Sequence, residues 1–364
     1  MSKKRNNLLI AASGTGGHIF PALAVSKTVE KDWNMHWLGV QKRLDSKFIP
    51  RKYNLLTLKL DTPKKNIFIL FQYLKILFAT FNIIKILKVK KINLVFTTGG
   101  YISAPTILAA KLLKIPVIIH ESNLIPGTVT KYFGFLCKFV LIGFKDTNSY
   151  LKNCKTIFTG TPLREEFYEN NALPEWVPRG KGPLIIVMGG SQGSKRINEV
   201  FYESLNFLIK QNFRIVHIIG ENNFNSFVKT KSKNYVQKKF TNQIASLMQN
   251  CELVISRSGA GTINELIQTG KPSILIPYPN SKNNHQEKNA MILTSIGGAI
   301  LINQNKLSKI CFEDTLKWIF KFTLKKGKPK YEILDLMKKN MKNRNSLQST
   351  NEIKKLINYF LKEF

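Results

Sequence analysis

Short apolar runs alternate with stretches of helical periodicity along the whole chain. The runs are Asn7–Ala12, Met35–Val40, Leu94–Thr98, Pro116–His120 and Phe139–Ile142, then Leu184–Met188, Ile215–Ile219, Leu253–Ser256, Ser273–Ile276 and Ala299–Ile302. Such β-rich runs between helical patterns predict βα units and parallel sheets. Around 174–183 the sequence turns Pro-, Gly- and Arg-rich (Pro174, Pro178, Arg179, Gly180, Gly182, Pro183) and loses its periodicity, which places a linker there. Beyond it the chain restarts as it began, with a strand entering a glycine loop. The expectation is an α/β protein of two Rossmann-like domains facing a cleft, with ligands beyond the carboxyl ends of the strands. The expected domains are 1–163 and 164–340, with a C-terminal helix over 341–364 that packs back on the first. From Leu324 on, the pattern reads as Lys-rich, helical and solvated.

Segment Lys64–Lys91 differs from the rest. It carries seven lysines and no acid around an apolar series that includes Leu70, Leu74, Leu77, Phe78, Phe81 and Ile84. A spanning helix needs ~20 mostly apolar residues, and Gln72, Lys75, Asn82 and Lys85 interrupt this one. Two readings stay open: a helix at a membrane interface, with lysines meeting anionic headgroups, and a buried helix of the first domain. One helix can do both.

Charge and cysteine content narrow the field without choosing a partner. The 364 residues include 56 Lys and Arg against 22 Asp and Glu, a formal net charge of +34. That balance suits nucleic acid, anionic lipid or a phosphorylated substrate, although abundant Lys, Asn, Ile and Phe would also follow from an A/T-rich genome. Cys137, Cys154, Cys251 and Cys311 are widely spaced, with no C-x-x-C and no His at ligand spacing, so a reduced, metal-free protein is expected. No cleavable apolar segment is read ahead of the first strand, and secretion is not expected.

The chemistry-bearing positions sit where strands run into glycine turns. Ala12 to Pro21 (Ala-Ser-Gly-Thr-Gly-Gly-His-Ile-Phe-Pro) reads as strand, turn and helix, with His18 carried to a ligand. The glycines Gly14, Gly16 and Gly17 lack the G-x-G-x-x-G spacing and no acid closes the next strand, which disfavours a nicotinamide cofactor. In the second half, Met188 to Ser194 forms a loop offering Ser191 and Gln192. Arg257-Ser258-Gly259-Ala260-Gly261-Thr262 leads into a helix bearing Glu265. Backbone amides at 259–262 would form a helix N-terminus suited to a diphosphate, and Glu265 can accept both hydroxyls of a ribose. A glycine turn alone is most often only a tight turn; the pairing points to a nucleoside diphosphate site. Gln286 and Asn289 offer amides suited to sugar hydroxyls, although polar residues in a first helical turn are mostly caps. Gly99, Gly100 and Tyr101, then His120 and Glu121 with Asn123, then Arg164 after Gly160-Thr161-Pro162-Leu163, lie at strand ends of the first half.

Taken together, Gly-Thr-Gly-Gly-His, Gly-Gly-Tyr-Ile-Ser, His-Glu-Ser-Asn, Gly-Thr-Pro-Leu-Arg, Gly-Gly-Ser-Gln-Gly, Arg-Ser-Gly-Ala-Gly-Thr-x-x-Glu and His-Gln-x-x-Asn-Ala, in order from 12 to 290, resemble the bacterial N-acetylglucosaminyltransferases that convert lipid I to lipid II in peptidoglycan synthesis. The resemblance implies the GT-B architecture, UDP-N-acetylglucosamine as donor, an undecaprenyl-diphosphate-linked muramoyl-pentapeptide as acceptor, and no required cofactor or metal. It implies a peripheral place on the cytoplasmic face of the cell membrane, contact with an anionic membrane surface, room for other cell-wall synthesis proteins as partners, and no nucleic acid. By motif, His18 is the candidate base. Thr15, Gly16, Gly17, Asn123, Arg164, Ser191, Gln192, Thr241, Ala260, Gly261, Thr262, Glu265, Gln286 and Asn289 would bind the donor, Thr241 meeting uracil through its backbone. Gly14, Gly99, Gly100, Tyr101 and Glu121 would hold the acceptor. The chain departs from the family pattern at Ser122 and Thr161, where members commonly carry Gln or Asn.

The reaction so implied is a single displacement at the sugar C1 with inversion, a base taking the proton of the acceptor 4-hydroxyl. If His18 only orients the acceptor, Glu121 or His120 would serve as base. Two rivals remain: a transferase acting on another lipid such as diacylglycerol, and a noncatalytic lipid- or nucleic-acid-binding protein. The second leaves the paired glycine loops and Glu265 without a role.

Overall fold

The computed structural model describes residues 5–14, 16–41, 48–59, 69–190, 193–220, 232–321, 331–342 and 349–362. The chain divides into two compact units, Met1–Arg164 with Leu347–Phe364, and Glu165–Ser346.

Unit 1 holds a seven-stranded, wholly parallel sheet in the order β3-β2-β1-β4-β5-β6-β7. The strands are β1 (Asn7–Ala11), β2 (Asn34–Val40), β3 (Asn54–Leu58), β4 (Ile92–Thr97), β5 (Val117–Glu121), β6 (Phe139–Ile142) and β7 (Thr156–Phe158). Leu8 to Ala11 are fully buried because the central strand of a parallel sheet is covered on both faces. Crossover helices α1 (Gly16–Val29), α2 (Ile69–Val89) and α3 (Ser103–Leu112) carry the chain between strands, and α4 (Thr128–Phe133) follows β5. Unit 2 repeats the plan with six parallel strands in the order β10-β9-β8-β11-β12-β13: β8 (Leu184–Met188), β9 (Arg214–Ile218), β10 (Tyr235–Lys238), β11 (Leu253–Ser256), β12 (Ser273–Leu275) and β13 (Ala299–Leu301). Its helices are α5 (Lys195–Lys210), α6 (Ile244–Asn250), α7 (Ala260–Thr269), α8 (His285–Thr294), α9 (Lys309–Phe320) and α10 (Glu332–Lys342). In both sheets the strand order reverses between two neighbours, β1 and β4 in unit 1, β8 and β11 in unit 2. A crevice opens at such a switch point, and the glycine loops leave these four strands.

Three expectations are corrected here. The stretch 174–183 is not the boundary, which falls at Arg164–Glu165. It lies on unit 2: Val177 is buried, the Arg214 guanidinium donates to the carbonyls of Gly182 at 2.7 Å and Pro178 at 3.4 Å, and a Cβ on Gly182 would overlap the Asn212 carbonyl. The glycine is there for close approach, not for slack. Nor is the stretch from Leu324 on a solvated element throughout. Helix α10 buries Leu334, Met337 and Met341 in unit 2, and α11 (Ser349–Tyr359) buries Ile353 and Ile357, followed by Phe360, in the core of unit 1. At ~1.5–3 kcal/mol per enclosed apolar side chain, those three residues contribute substantially to unit 1. Trp33 Nε1 donates to Asn358 Oδ1 at 3.0 Å, and Asn358 Nδ2 donates to Asp32 at 2.8 Å, fixing α11 beside α1. Third, β3, β7 and β10 add unforeseen strands, all at sheet edges.

Helix α2 answers part of the question posed by 64–91, of which 64–68 lie outside the described residues. Ala79, Ile83 and Leu87, spaced by four, are buried in the core of unit 1. Leu74, Leu77, Phe78 and Phe81 are exposed, Phe78 to 71%. Among the described residues no helix is long and apolar enough to cross a membrane.

Candidate active site

In unit 1 the site is built on the turn after β1. Gly14 holds φ +104°, and the next described residue, Gly16, opens α1. A Cβ on Gly16 would meet the Phe20 ring at 2.8 Å, so Phe20 folds back over the turn, and the Arg164 guanidinium lies 5.0 Å from that ring's centre. Thr15 lies outside the described residues. Gly17 is exposed. His18, half-buried in the first turn of α1, sets its ring against the turn after β4: Cβ atoms built on Gly99 and Gly100 would stand 3.9 Å from Nε2 and 3.7 Å from Nδ1. Both glycines hold left-handed backbone, φ +85° and +83°, so any other residue here would strain the turn. Thr98 Oγ1 donates to the His18 carbonyl at 2.9 Å, tying the two loops together. Tyr101, beyond the glycines, is half-buried and packs on the core.

The two substitute bases are committed elsewhere. His120 is fully buried; its Nε2 donates to the Gly160 carbonyl at 2.9 Å, so Nδ1 accepts from Ser122 Oγ at 3.2 Å, and burial holds its pKa below the ordinary imidazole value. Ser122 thus satisfies the buried ring. Thr161 approaches Gly143 so closely that no side chain fits there. Glu121 is buried, and its carboxylate accepts four bonds: from Asn123 N and Nδ2 at 3.0 Å each, Gly127 N at 2.9 Å and Thr130 Oγ1 at 2.7 Å. Both oxygens are filled, so Glu121 shapes the 122–130 loop. Two of those bonds hold Asn123 in place, and Thr147 Oγ1 donates to the Asn123 carbonyl at 3.2 Å.

In unit 2 the corresponding turn follows β11. Helix α7 begins at Ala260 after Gly259, and among the described residues no side chain is seen to cap its first amides. Helices leave their first-turn N–H groups without intrahelical partners, and space is open over Gly259 and Gly261, where a Cβ would meet nothing within 4 Å. Among the described residues Ala260, Gly261 and Thr262 therefore present a positive helix end to open space. Glu265, half-buried, sits one turn further along.

Behind this end lies Arg257, a residue to which the sequence reading assigned no role. It is 9% exposed, and its guanidinium donates to Ile276 and Pro277 carbonyls at 3.0 Å, Ser194 Oγ at 2.7 Å and Gln304 Oε1 at 2.6 Å, none of them a carboxylate. Burial pulls its pKa down to about 10, so it stays cationic at neutral pH. Among the described residues no carboxylate pairs with this charge, which reaches the loop after β8 through Ser194. Ser194 caps α5 there, accepting from Ile197 N at 3.4 Å, and Gly190 and Gly193 hold φ +88° and +78°. Ser191 and Gln192 lie outside the described residues. Without a carboxylate partner, an arginine at a strand end was the available signal.

The amides on α8 divide their roles. Gln286 Oε1 accepts from Tyr278 N at 2.9 Å, and the residue is half-buried. Asn289 is fully buried and donates to the Ser258 carbonyl at 3.4 Å. Ser258 Oγ closes the set on the Gln286 carbonyl at 2.8 Å. Thr241 Oγ1 accepts from Gln243 N at 3.1 Å, holding a turn beside exposed Phe240.

Comparison with known proteins bears on both units. Residues 8–142 match the glycosyltransferase family 28 N-terminal domain and 184–356 the family 28 C-terminal domain. A Prochlorococcus marinus subsp. pastoris (strain CCMP1986 / NIES-2087 / MED4) protein, named UDP-N-acetylglucosamine--N-acetylmuramyl-(pentapeptide) pyrophosphoryl-undecaprenol N-acetylglucosamine transferase, is 86% identical over 364 residues, all of both chains. A like-named protein of P. marinus strain NATL1A is 49% identical over 306 residues, 83% of this chain and 87% of the other. The crystal structure of Acinetobacter baumannii MurG superposes with a TM-score of 0.73 at 25% identity, covering 98% of this chain and 100% of that one. The UDP-GlcNAc 2-epimerase of Methanocaldococcus jannaschii, at 15% identity, TM-score 0.60 and coverage of 97% and 99%, shares the fold alone.

Proposed function

Because the chain belongs to glycosyltransferase family 28, and within it to the UDP-N-acetylglucosamine–N-acetylmuramyl-(pentapeptide) pyrophosphoryl-undecaprenol transferases, we infer that it moves N-acetylglucosamine from UDP-N-acetylglucosamine to lipid I, giving lipid II. Full-length identity of 86% with a relative so named carries this reading. It also decides against a diacylglycerol acceptor and against a noncatalytic basic protein.

Unit 1 takes the acceptor and unit 2 the donor. On the donor side, the N–H groups of Ala260, Gly261 and Thr262 meet the diphosphate, Glu265 the ribose, the Thr241 backbone the uracil and Gln286 the sugar, with Arg164, Ser191 and Gln192 on the nucleotide by motif. In unit 1, His18 takes the 4-hydroxyl proton as that oxygen attacks C1, and UDP departs with inversion. Developing negative charge on the leaving phosphate is stabilised by fixed dipoles of α7, with buried Arg257 adding a full positive charge behind them. These protein charges do the work a divalent cation could do, so no metal is called for. The test is transfer of labelled N-acetylglucosamine to a lipid I analogue in EDTA. Undiminished turnover is expected; loss restored by added Mg²⁺ would show that the leaving group needs a metal.

The acceptor's lipid tail requires a membrane surface, and α2 offers one. Leu74, Leu77, Phe78 and Phe81 are exposed beside Lys75, Lys85 and Lys88, a pattern suited to peripheral docking on the cytoplasmic face. In Phe78→Asp/Phe81→Asp, partition onto phosphatidylglycerol vesicles is expected to fall at least tenfold, with turnover of a water-soluble lipid I analogue unchanged. Equal partition of variant and wild type would remove α2 from the docking face.

A further inference from the structure

At the other end of unit 1, below the amino ends of β1, β2 and β4, lies a cavity of about 750 Å³ that the transfer reaction does not use. Arg5, Lys31, Lys52, Lys90 and Lys91 line it. Among the described residues, the carboxylate lining it is Glu30, and both its oxygens are taken, by Lys52 at 2.6 and 2.8 Å and by the Tyr53 hydroxyl at 2.6 Å. Five cations thus face one carboxylate. Lysines gather at helix carboxyl ends for a simple reason, and α1 and α2 both end here, at Val29 and Val89. Each helix end carries roughly half a negative charge, so the two offset about one of the four uncompensated cations. About three positive charges remain in a concave wall, where field lines concentrate.

The floor of the cavity also holds an unused donor. His36 is 7% exposed. The Asn34 side-chain amide donates to Asn7 Oδ1 at 2.6 Å and faces His36 Nε2 at 3.4 Å; an amide N–H₂ only donates, so Nε2 accepts and the proton stands on Nδ1. Among the described residues that buried N–H has no acceptor. A buried donor without a partner costs about 1–3 kcal/mol, so the lining of the cavity carries a polar group that the fold leaves unsatisfied among the described residues.

We propose that this cavity is a binding site for a phosphate-bearing anion, separate from the donor site of unit 2 and built by the Arg5, Lys31, Lys90 and Lys91 cations over His36. Its size suits a ligand of small-molecule dimensions. Helix α2 sets it apart from the docking face: Phe81 and Val89 are eight residues apart, ~12 Å along the helix axis at 1.5 Å per residue. The phosphate comes either from a free anion or from a lipid headgroup.

The probe is labelled inorganic pyrophosphate in equilibrium dialysis with the full chain, in saturating UDP so that the donor site is filled. One equivalent is expected to bind wild type. Affinity should fall at least tenfold in Lys31→Gln/Lys90→Gln/Lys91→Gln and stay within twofold in a charge-matched control, Lys152→Gln/Lys155→Gln/Lys309→Gln, drawn from exposed positions elsewhere. N-acetylglucosamine transfer, unchanged in both variants, shows that they fold and keeps this test distinct from that of the activity. Equal loss in the two variants, or no saturable binding in UDP, overturns the site. Displacement of bound pyrophosphate by phosphatidylglycerol vesicles but not phosphatidylcholine vesicles assigns the phosphate to lipid; no displacement by either assigns it to a free anion.

Discussion

Replacing His18 with alanine is expected to lower kcat on a lipid I analogue by at least a hundredfold while leaving the affinity for UDP within about threefold. A positioned general base contributes about 10²–10⁴ in rate, and a hundredfold loss corresponds to about 2.7 kcal/mol of transition-state stabilisation. UDP affinity is the control, because the uncapped end of α7 that would hold the diphosphate belongs to unit 2 and His18 to unit 1. His18→Gln keeps much of the side-chain bulk against Gly99 and Gly100 and should lose as much rate as alanine; recovery in the glutamine variant would make His18 an orienting group. If both variants turn over at the wild-type rate, the base is another residue. His120 and Glu121 are poor substitutes, one sealed with its ring nitrogens engaged, the other accepting four hydrogen bonds.

The parts of this molecule legible in its sequence are those where one interaction dominates. Central strands read plainly because both faces are buried, and Phe139–Ile142, Leu184–Met188 and Leu253–Ser256 fall where the apolar runs end. The edge strands β3, β7 and β10 escape because most of their positions are only partly buried and Asn54, Thr57 and Lys238 interrupt the apolar signal. The glycine turns were legible as turns. Invisible was the reason for each, such as the His18 ring lying across Gly99 and Gly100. Nor does sequence position show that Glu121 accepts four hydrogen bonds from its own loop, or that Asn289 is buried and donates to the Ser258 carbonyl. Arg257 carries no signal of its role in the sequence, since only the fold shows that a cation there is buried with no carboxylate partner among the described residues. The 174–183 stretch misled for a related cause: Gly182 marks close packing on Asn212, and composition alone does not separate tight contact from freedom.

Placing a carboxylate at Gly261 is expected to move stability and binding in opposite directions. Gly261 sits in the first turn of α7 with open space where a Cβ would go, so Gly261→Asp should fold without strain. An acid in a first turn favours the helix by ~0.3–1 kcal/mol, and relief of glycine's helix penalty adds a similar amount, so the melting temperature should rise. Donor binding should collapse. A carboxylate ~4 Å from a phosphate charge costs about 4 kcal/mol at an effective dielectric of 20, enough to raise the Kd for UDP more than a hundredfold. Gly261→Asn separates charge from bulk: it has nearly the same shape and no charge, and should weaken UDP at least tenfold less than the aspartate does. Isothermal titration of UDP and thermal melts on the three proteins give both readings. Equal losses for Asp and Asn would mean that the new side chain only blocks the surface. Wild-type UDP affinity in a stabilised Gly261→Asp would mean that the diphosphate binds elsewhere, and that the uncapped α7 end and the buried Arg257 do not form its site.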